Sequence, residues 1–196
     1  MFEKIRLIMR NRLKIIFKLF VCLLILCSFI FLFYCNRLNM YAVNMQQILS
    51  KNGEIYADNI VVEKKQRKMY LMKKGAVLKE YKISLGSNPV GAKQQENDGK
   101  TPEGLYYIES HNHKSKFHLS LKISYPNEDD KKWAKKHNVS AGGDIMIHGF
   151  PNWVPDFLFN HFHKSDWTRG CIAVTNEQIE EIWKLVKDGT PIKIMP

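Results

Sequence analysis

Cysteine is scarce in this chain where a disulfide-stapled scaffold would need it. Four cysteines occur in 196 residues, and Cys22, Cys27 and Cys35 all fall in one apolar stretch near the N-terminus. Only Cys171 lies beyond position 35, so the rest of the chain cannot be built on a disulfide framework. Internal repeats and low-complexity tracts are absent, which excludes a solenoid. Acidic residues are nearly missing from the first 40 positions, where seven Lys/Arg face Glu3 alone for a net +6. The remaining 156 residues carry 23 Lys/Arg against 18 acids, a net of +5. The formal +11 is therefore concentrated at the N-terminus, and the main domain is only modestly basic. It lacks an Arg/Lys face interleaved with aromatics, which argues against nucleic acid as a partner. What the chain does have is 45% hydrophobic and 12% aromatic residues, enough for a sizeable core.

The N-terminal basic cluster borders residues 19–35, LFVCLLILCSFIFLFYC, a run with no charge. With the preceding Ile15, Ile16 and Phe17 it approaches the length a bilayer requires. Lys18 lies close enough to the end to snorkel towards headgroups. No small-x-small cleavage pattern follows, and Leu32, Phe33 and Tyr34 do not suit a lipoprotein signal before Cys35. The expectation is a basic cytoplasmic tail over 1–14, a retained transmembrane anchor over 15–35, a linker over 36–58 and a folded domain over 59–196. By the positive-inside rule that domain lies outside the cytoplasmic membrane.

Within the domain, alternation of apolar and polar residues predicts strands around Ile60/Val62, Met69/Leu71 and Val77/Tyr81/Ile83, with a hairpin turn at residues 73–75. Residues 86–104 form a long Gly/Pro/Asn/Asp-rich loop, a type of segment that tends to be functional. LYYIES and KFHLSLKISYP resume the strand pattern. Asn127 is a candidate N-cap for a short polar helix with acids in its first turn. Met146–His148 reads as a small strand running into a turn, and CIAV (171–174) as a four-residue strand. Residues 150–164 are aromatic and broken by two prolines, so a loop is expected. Thr175 and Gln178 form a capping box for a helix with apolar Ile179, Ile182, Trp183 and Val186, ended by Gly189. TPIKIMP closes the chain as a strand. The fold class is mostly β (α+β) with a few packed helices.

The chemistry centres on Cys171. Gly170 before it removes a side chain that would obstruct a substrate carbonyl and frees backbone N–H groups for an oxyanion. A thiol with an ordinary pKa near 8.5 holds little thiolate at neutral pH, so it needs a base or a nearby cation. His148, at a strand end beside Gly149, is the candidate base, and Arg169 the candidate cation. A packed, inert cysteine, a core histidine and a solvated arginine are the alternative reading of the same residues.

KTPEG (100–104), SLKISYPN (120–127), GGDIMIHG (142–149) and SDWTRGCIAVTN (165–176) together resemble the catalytic domain of the L,D-transpeptidases of bacterial cell walls, in particular the branch with a DWT-x-GC-I-A-V signature. The resemblance spans about residues 59–196. It implies a β-sandwich or barrel in which Cys171 is the nucleophile, His148 its base and Gly149 the carbonyl that orients the imidazole. Gly170 and Cys171 would supply oxyanion donors, with Trp167, Thr168 and Arg169 on the substrate side. Two positions depart from the commonest family pattern: Arg169 stands where histidine is usual, and Ala173 where arginine is frequent. The implied reaction is acyl transfer on peptidoglycan stem peptides through a thioester, resolved by an amine in a transpeptidase or by water in a hydrolase. No cofactor is implied.

Two further readings compete. His111-x-His113 and His161-x-His163 each have a spacing suited to zinc on a strand, although no carboxylate–histidine pattern of a metalloprotease accompanies them. A non-catalytic wall-binding module would use the same cleft with Cys171 merely buried, and Trp153, Phe157, Phe159 and Phe162 as a docking surface.

Overall fold

A computed structural model describes residues 26–37, 40, 55–155, 158 and 165–196. The chain divides into two compact units, Met1–Ile55 and Tyr56–Pro196. In the first, residues 26–37 are helical (α1) and carry exposed apolar side chains such as Phe29, Phe31 and Phe33. The expected anchor begins outside the described residues, and among those described no helix is long and apolar enough to cross a membrane.

The second unit is built from alternation. In β1 (Asn59–Glu63) and β2 (Lys68–Lys73) every second side chain is buried, which sends Ile60, Val62, Met69 and Leu71 to one face. The turn from β2 into β3 (Ala76–Lys82) is the two-residue pair Lys74-Gly75, with φ of 50° and 79°. Positive φ at both positions belongs to the hairpin turn whose twist matches the flanking strands, and glycine takes the second at no steric cost. β4 (Gly104–Asn112), β5 (Ser120–Ile123), β6 (Met146–His148), β7 (Ile172–Ala173) and β8 (Pro191–Met195) complete an eight-stranded sheet of order β3-β2-β1-β8-β4-β5-β6-β7. The last strand of the chain thus sits in the middle of the sheet. It pairs parallel to β1 and antiparallel to β4, and its Ile192 and Ile194 are buried in the core.

The sheet curls towards closure. Ser84, just after β3 at one edge, exchanges both backbone hydrogen bonds with Ala173 of β7 at the other, at 2.9 and 2.8 Å. Gly86 forms a further bridge with Thr168. The result is a mostly β half-barrel, with its edges joined by backbone bonds instead of left open.

Two helices pack on this frame. α2 (Glu128–Lys136) has Asn127 as N-cap with Asp130 completing a capping box, and α3 (Asn176–Leu185) has Thr175 and Gln178 in the same arrangement. α3 buries Ile179 and Ile182 against the side of the sheet that holds β5 and β6. It ends at Leu185 with Val186 as its C-cap, three residues before Gly189. Two expected strands are shorter than the sequence suggests. KFHLSLKISYP contributes only Ser120–Ile123, and CIAV only Ile172–Ala173, so Cys171 precedes the strand and does not open it. The reason is the half-barrel geometry: β7 is an edge, and Val174 leaves the ladder after donating its N–H to the His148 carbonyl at 2.9 Å.

Candidate active site

His148 ends β6, opposite Ser120 of β5 and Ala173 of β7. Its Nδ1 lies 2.7 Å from the carbonyl oxygen of Gly149. A carbonyl only accepts, so in the neutral ring Nδ1 carries the proton and Nε2 keeps the lone pair. Gly149 is held in turn. Its N–H donates to Phe117 and Leu119 carbonyls at 3.1 and 3.3 Å, and a Cβ there would meet Asn176 Oδ1 at 2.5 Å. That oxygen is already accepting the Phe150 N–H, so a side chain at 149 would break the link between the His148 turn and the start of α3. Around the imidazole stand Phe117, with ring centroids 4.5 Å apart, and Trp167, at 5.7 Å and edge-on. These rings leave His148 only 3% exposed. Burial pushes its pKa down to about 4, opposed by the hydrogen bond to Gly149. At neutral pH the ring is uncharged and able to accept a proton.

Cys171 is carried by the turn 168–171. Thr168 Oγ1 donates to the Cys171 carbonyl at 2.7 Å and accepts the Gly170 N–H at 3.1 Å. The Thr168 hydroxyl is therefore occupied by its own turn and holds the cysteine in place, while Thr168 also lines the cavity onto which Cys171 opens. The Gly170 N–H is part of the same turn. Gly170 is required on two counts: its φ is 131°, and a Cβ would lie 2.5 Å from the Lys100 carbonyl oxygen. Cys171 Sγ points at the start of β6, donating to the Asp144 carbonyl at 3.5 Å. Burial raises the thiol pKa above its ordinary value; the Met146 N–H opposes this, the Asp144 charge adds to it and the Lys93 ammonium opposes it. The resting pair is thus a neutral thiol and a neutral imidazole. Such a pair has the chemistry for general-base catalysis, in which the proton moves as a sulfur attacks and no thiolate is preformed.

Both residues open onto one cavity of about 560 Å³, lined among others by Phe117, Trp153, Trp167 and Arg169. Arg169 is exposed at its rim and has no ion-pair partner among the described residues. It is not among the charges that set the Cys171 thiol. The cation that does act there, Lys93, is one the sequence reading missed, as are Phe117 and Asp166. Asp166 accepts Arg67 Nη2 at 2.7 Å and the Leu85 N–H at 2.9 Å, fastening the cysteine-bearing segment to the β1–β2 turn and to the stretch after β3. The aspartate of the DWT signature was the available signal for that role. A second cavity of about 320 Å³, along Lys65, Arg67 and Lys82, contains neither Cys171 nor His148.

His111 of the first histidine pair is engaged away from this cavity. His111 Nδ1 lies 2.6 Å from Asp188 Oδ1 and its ring packs edge-on against Trp183. His161, His163 and the aromatic residues Phe157, Phe159 and Phe162 lie outside the described residues. Among the described residues no three His, Cys, Asp or Glu side chains converge as a metal site would need.

A family model described as the L,D-transpeptidase catalytic domain matches residues 57–194. The chain belongs to that family. Among its relatives is YafK of Escherichia coli strain K12, which carries the L,D-transpeptidase name provisionally; it is 32% identical over 112 residues, covering 56% of this chain and 37% of YafK. Among solved structures, the helical cell shape determining protein Pgp2 of Campylobacter jejuni superposes with a TM-score of 0.50 and 26% identity, over 74% of this chain and 53% of Pgp2. A point variant of Pgp2 gives a TM-score of 0.51 and 25% identity, over 74% and 52%. The chain therefore spans about half the length of Pgp2 and little more than a third of YafK.

Proposed function

We propose that the protein is a cysteine-dependent acyl transferase acting on peptidoglycan stem peptides outside the cytoplasmic membrane, to which an N-terminal helix over residues 15–35 anchors it. The observation that carries the chemistry is the His148–Gly149 hydrogen bond, which leaves Nε2 as the acceptor in the cavity shared with Cys171. Cys171 Sγ attacks the amide carbonyl joining the diamino acid to a terminal D-amino acid, while Nε2 takes the thiol proton. Collapse of the tetrahedral intermediate breaks the C–N bond, and the imidazolium returns its proton to the departing amine. The acyl group is left as a thioester on Cys171. A second amine, or water, then attacks the thioester with Nε2 again taking the proton, which returns to the sulfur as the product leaves. Arg169, exposed at the rim with a guanidinium suited to two parallel hydrogen bonds, reads a carboxylate of the stem peptide.

The test is incubation of the full chain in detergent with purified peptidoglycan fragments, comparing wild type with Cys171→Ala by mass spectrometry. The expected outcome is product formation, and a thioester adduct of the wild type, that Cys171→Ala abolishes. New crosslinks or exchanged D-amino acids identify the amine acceptor, and shortened peptides alone identify water. Identical products from both proteins would overturn the assignment of Cys171 and leave the wall-binding module as the better description. Release of the protein from membranes by carbonate would overturn the anchor.

A further inference from the structure

A buried ion pair lies in the loop whose backbone packs on the Gly170–Cys171 turn, and the acyl-transfer chemistry above makes no use of it. Lys93 is only 5% exposed, and its Nζ donates to Asp98 Oδ1 at 2.9 Å and to the Gln95 carbonyl at 3.0 Å. Asp98 is saturated: besides the ammonium it accepts the N–H groups of Gln94, Gln95 and Lys100 at 2.8, 3.1 and 2.9 Å. Burial acts to raise its pKa, but these N–H groups and the Lys93 ammonium outweigh it and hold the carboxyl below the usual range. An ordinary loop does not need this, because burying a lysine ammonium costs far more than leaving it in water.

The loop that contains the pair is pressed against the cysteine turn. The Lys100 carbonyl, whose own N–H is held by Asp98, occupies the space a side chain at Gly170 would need. The Gly99 carbonyl likewise fills the space beside Gly86, which also abuts Gly170. On the other side the Glu96 N–H donates to the Ser140 carbonyl at 2.7 Å, and the backbone of Glu96 closes on Gly142. That second contact fixes the segment leading to Asp144, whose carbonyl receives the Cys171 thiol. One ion pair therefore organises both backbone segments that bracket the sulfur. We propose that Lys93 is a positioning residue for Cys171: anchored by Asp98, it holds the 93–100 loop against the Gly170–Cys171 turn and supplies the fixed positive charge that favours the thiolate as it forms. The inference rests on Cys171 being the nucleophile. The charged groups that act on the thiol are then Asp144 from the loop before β6 and Lys93 from the 93–100 loop, while His148 of β6 and Arg169 of the cysteine's own turn line the cavity with it. Lys93 is the cation among them that is buried.

The test reads the thiol itself, without a wall substrate. The pH dependence of iodoacetamide alkylation is followed on the Cys171 peptide by mass spectrometry in the folded full chain, which separates it from Cys22, Cys27 and Cys35. Lys93→Met is expected to move the midpoint up by about half to one pH unit, slowing alkylation three- to tenfold below the midpoint. Lys93→Arg restores it. Asp98→Asn keeps a polar side chain at 98 while removing the opposing charge, and moves the midpoint down. A structural role alone would shift Lys93→Met and Asp98→Asn in the same direction. Unchanged midpoints in folded Lys93→Met and Asp98→Asn, or shifts of the same sign, would overturn the inference. A wild-type Cys171 that resists alkylation at every pH while the protein stays folded would instead overturn the reading of Cys171 as nucleophile.

Discussion

Two walls enclose Cys171 and His148, and they are made of opposite materials. On one side Phe117 and Trp167 press aromatic faces and edges around the imidazole. On the other, the 86–104 loop takes part in buried ion pairs: Lys93 with Asp98, in the stretch whose backbone packs on Gly170, and Glu103 with Lys64, which is 2% exposed and also donates to the Gly91 and Thr101 carbonyls at 2.7–3.0 Å. The aromatic wall works by excluding water, which destabilises the charged imidazolium and keeps the base free to accept a proton. The ionic wall works by fixing backbone, since each ammonium gathers acceptors from segments that no strand holds.

The comparison can be broken most severely at the base itself. His148→Gln keeps a polar side chain at the end of β6 but removes the group that takes the thiol proton, and kcat is expected to fall by about 10²–10⁴-fold with the melting temperature little changed. Next comes the ionic wall. Glu103→Gln leaves the Lys64 ammonium without its counter-charge, and unfolding in urea should show a loss of roughly 2–3 kcal/mol. That is below the 3–5 kcal/mol of wholly enclosed pairs, because Glu103 is 20% exposed. Arg169→Met should raise KM about tenfold for stem peptides with a free carboxylate while leaving kcat nearly unchanged, the signature of a binding contact. A loss confined to kcat would remove Arg169 from substrate recognition.

The aromatic wall gives the smallest and most diagnostic effect. With His148 held at about 4, the acid limb of kcat/KM should have its midpoint near pH 4, well below the ordinary histidine value of roughly 6.5. Phe117→Ala admits water beside the ring, so the pKa rises and the limb moves to higher pH by about one unit. Stability carries the same sign. The folded pKa lies below the unfolded one, so the unfolded chain binds the extra proton as pH falls from about 6.5 to about 4, and stability is lost across that window. NMR titration of the His148 ring checks both, and an acid limb near 6.5 in the wild type would contradict the aromatic wall's role.

Local rules were legible in the chain because each depends on neighbours a few residues away. The caps at Asn127 and Thr175, the alternation of β1 and β2 and the turn at Lys74-Gly75 all follow from spacing within one element. The candidate nucleophile and base were legible too, from a glycine before a lone cysteine and a histidine before a glycine. Functions that depend on what lies opposite were not. The sequence offered Thr168 as a substrate contact and gave no sign that its hydroxyl also holds the cysteine turn. It offered Arg169 as the thiol's cation and gave no sign that Lys93, 76 positions before Arg169, also acts on the thiol. Phe117 gave no signal, since nothing near it in sequence marks it as a neighbour of His148.

The sequence by itself determined the helix caps, the strand faces and the pair Cys171 and His148, because capping, pleating and side-chain chemistry are local properties. Only the tertiary structure decided that the final strand lies at the centre of the sheet, that Ser84 meets Ala173 to draw its edges together, and that rings and buried charges from distant segments set the protonation of the site. Desolvation and Coulomb forces act through space, and a pKa belongs to the surroundings that folding assembles around a residue.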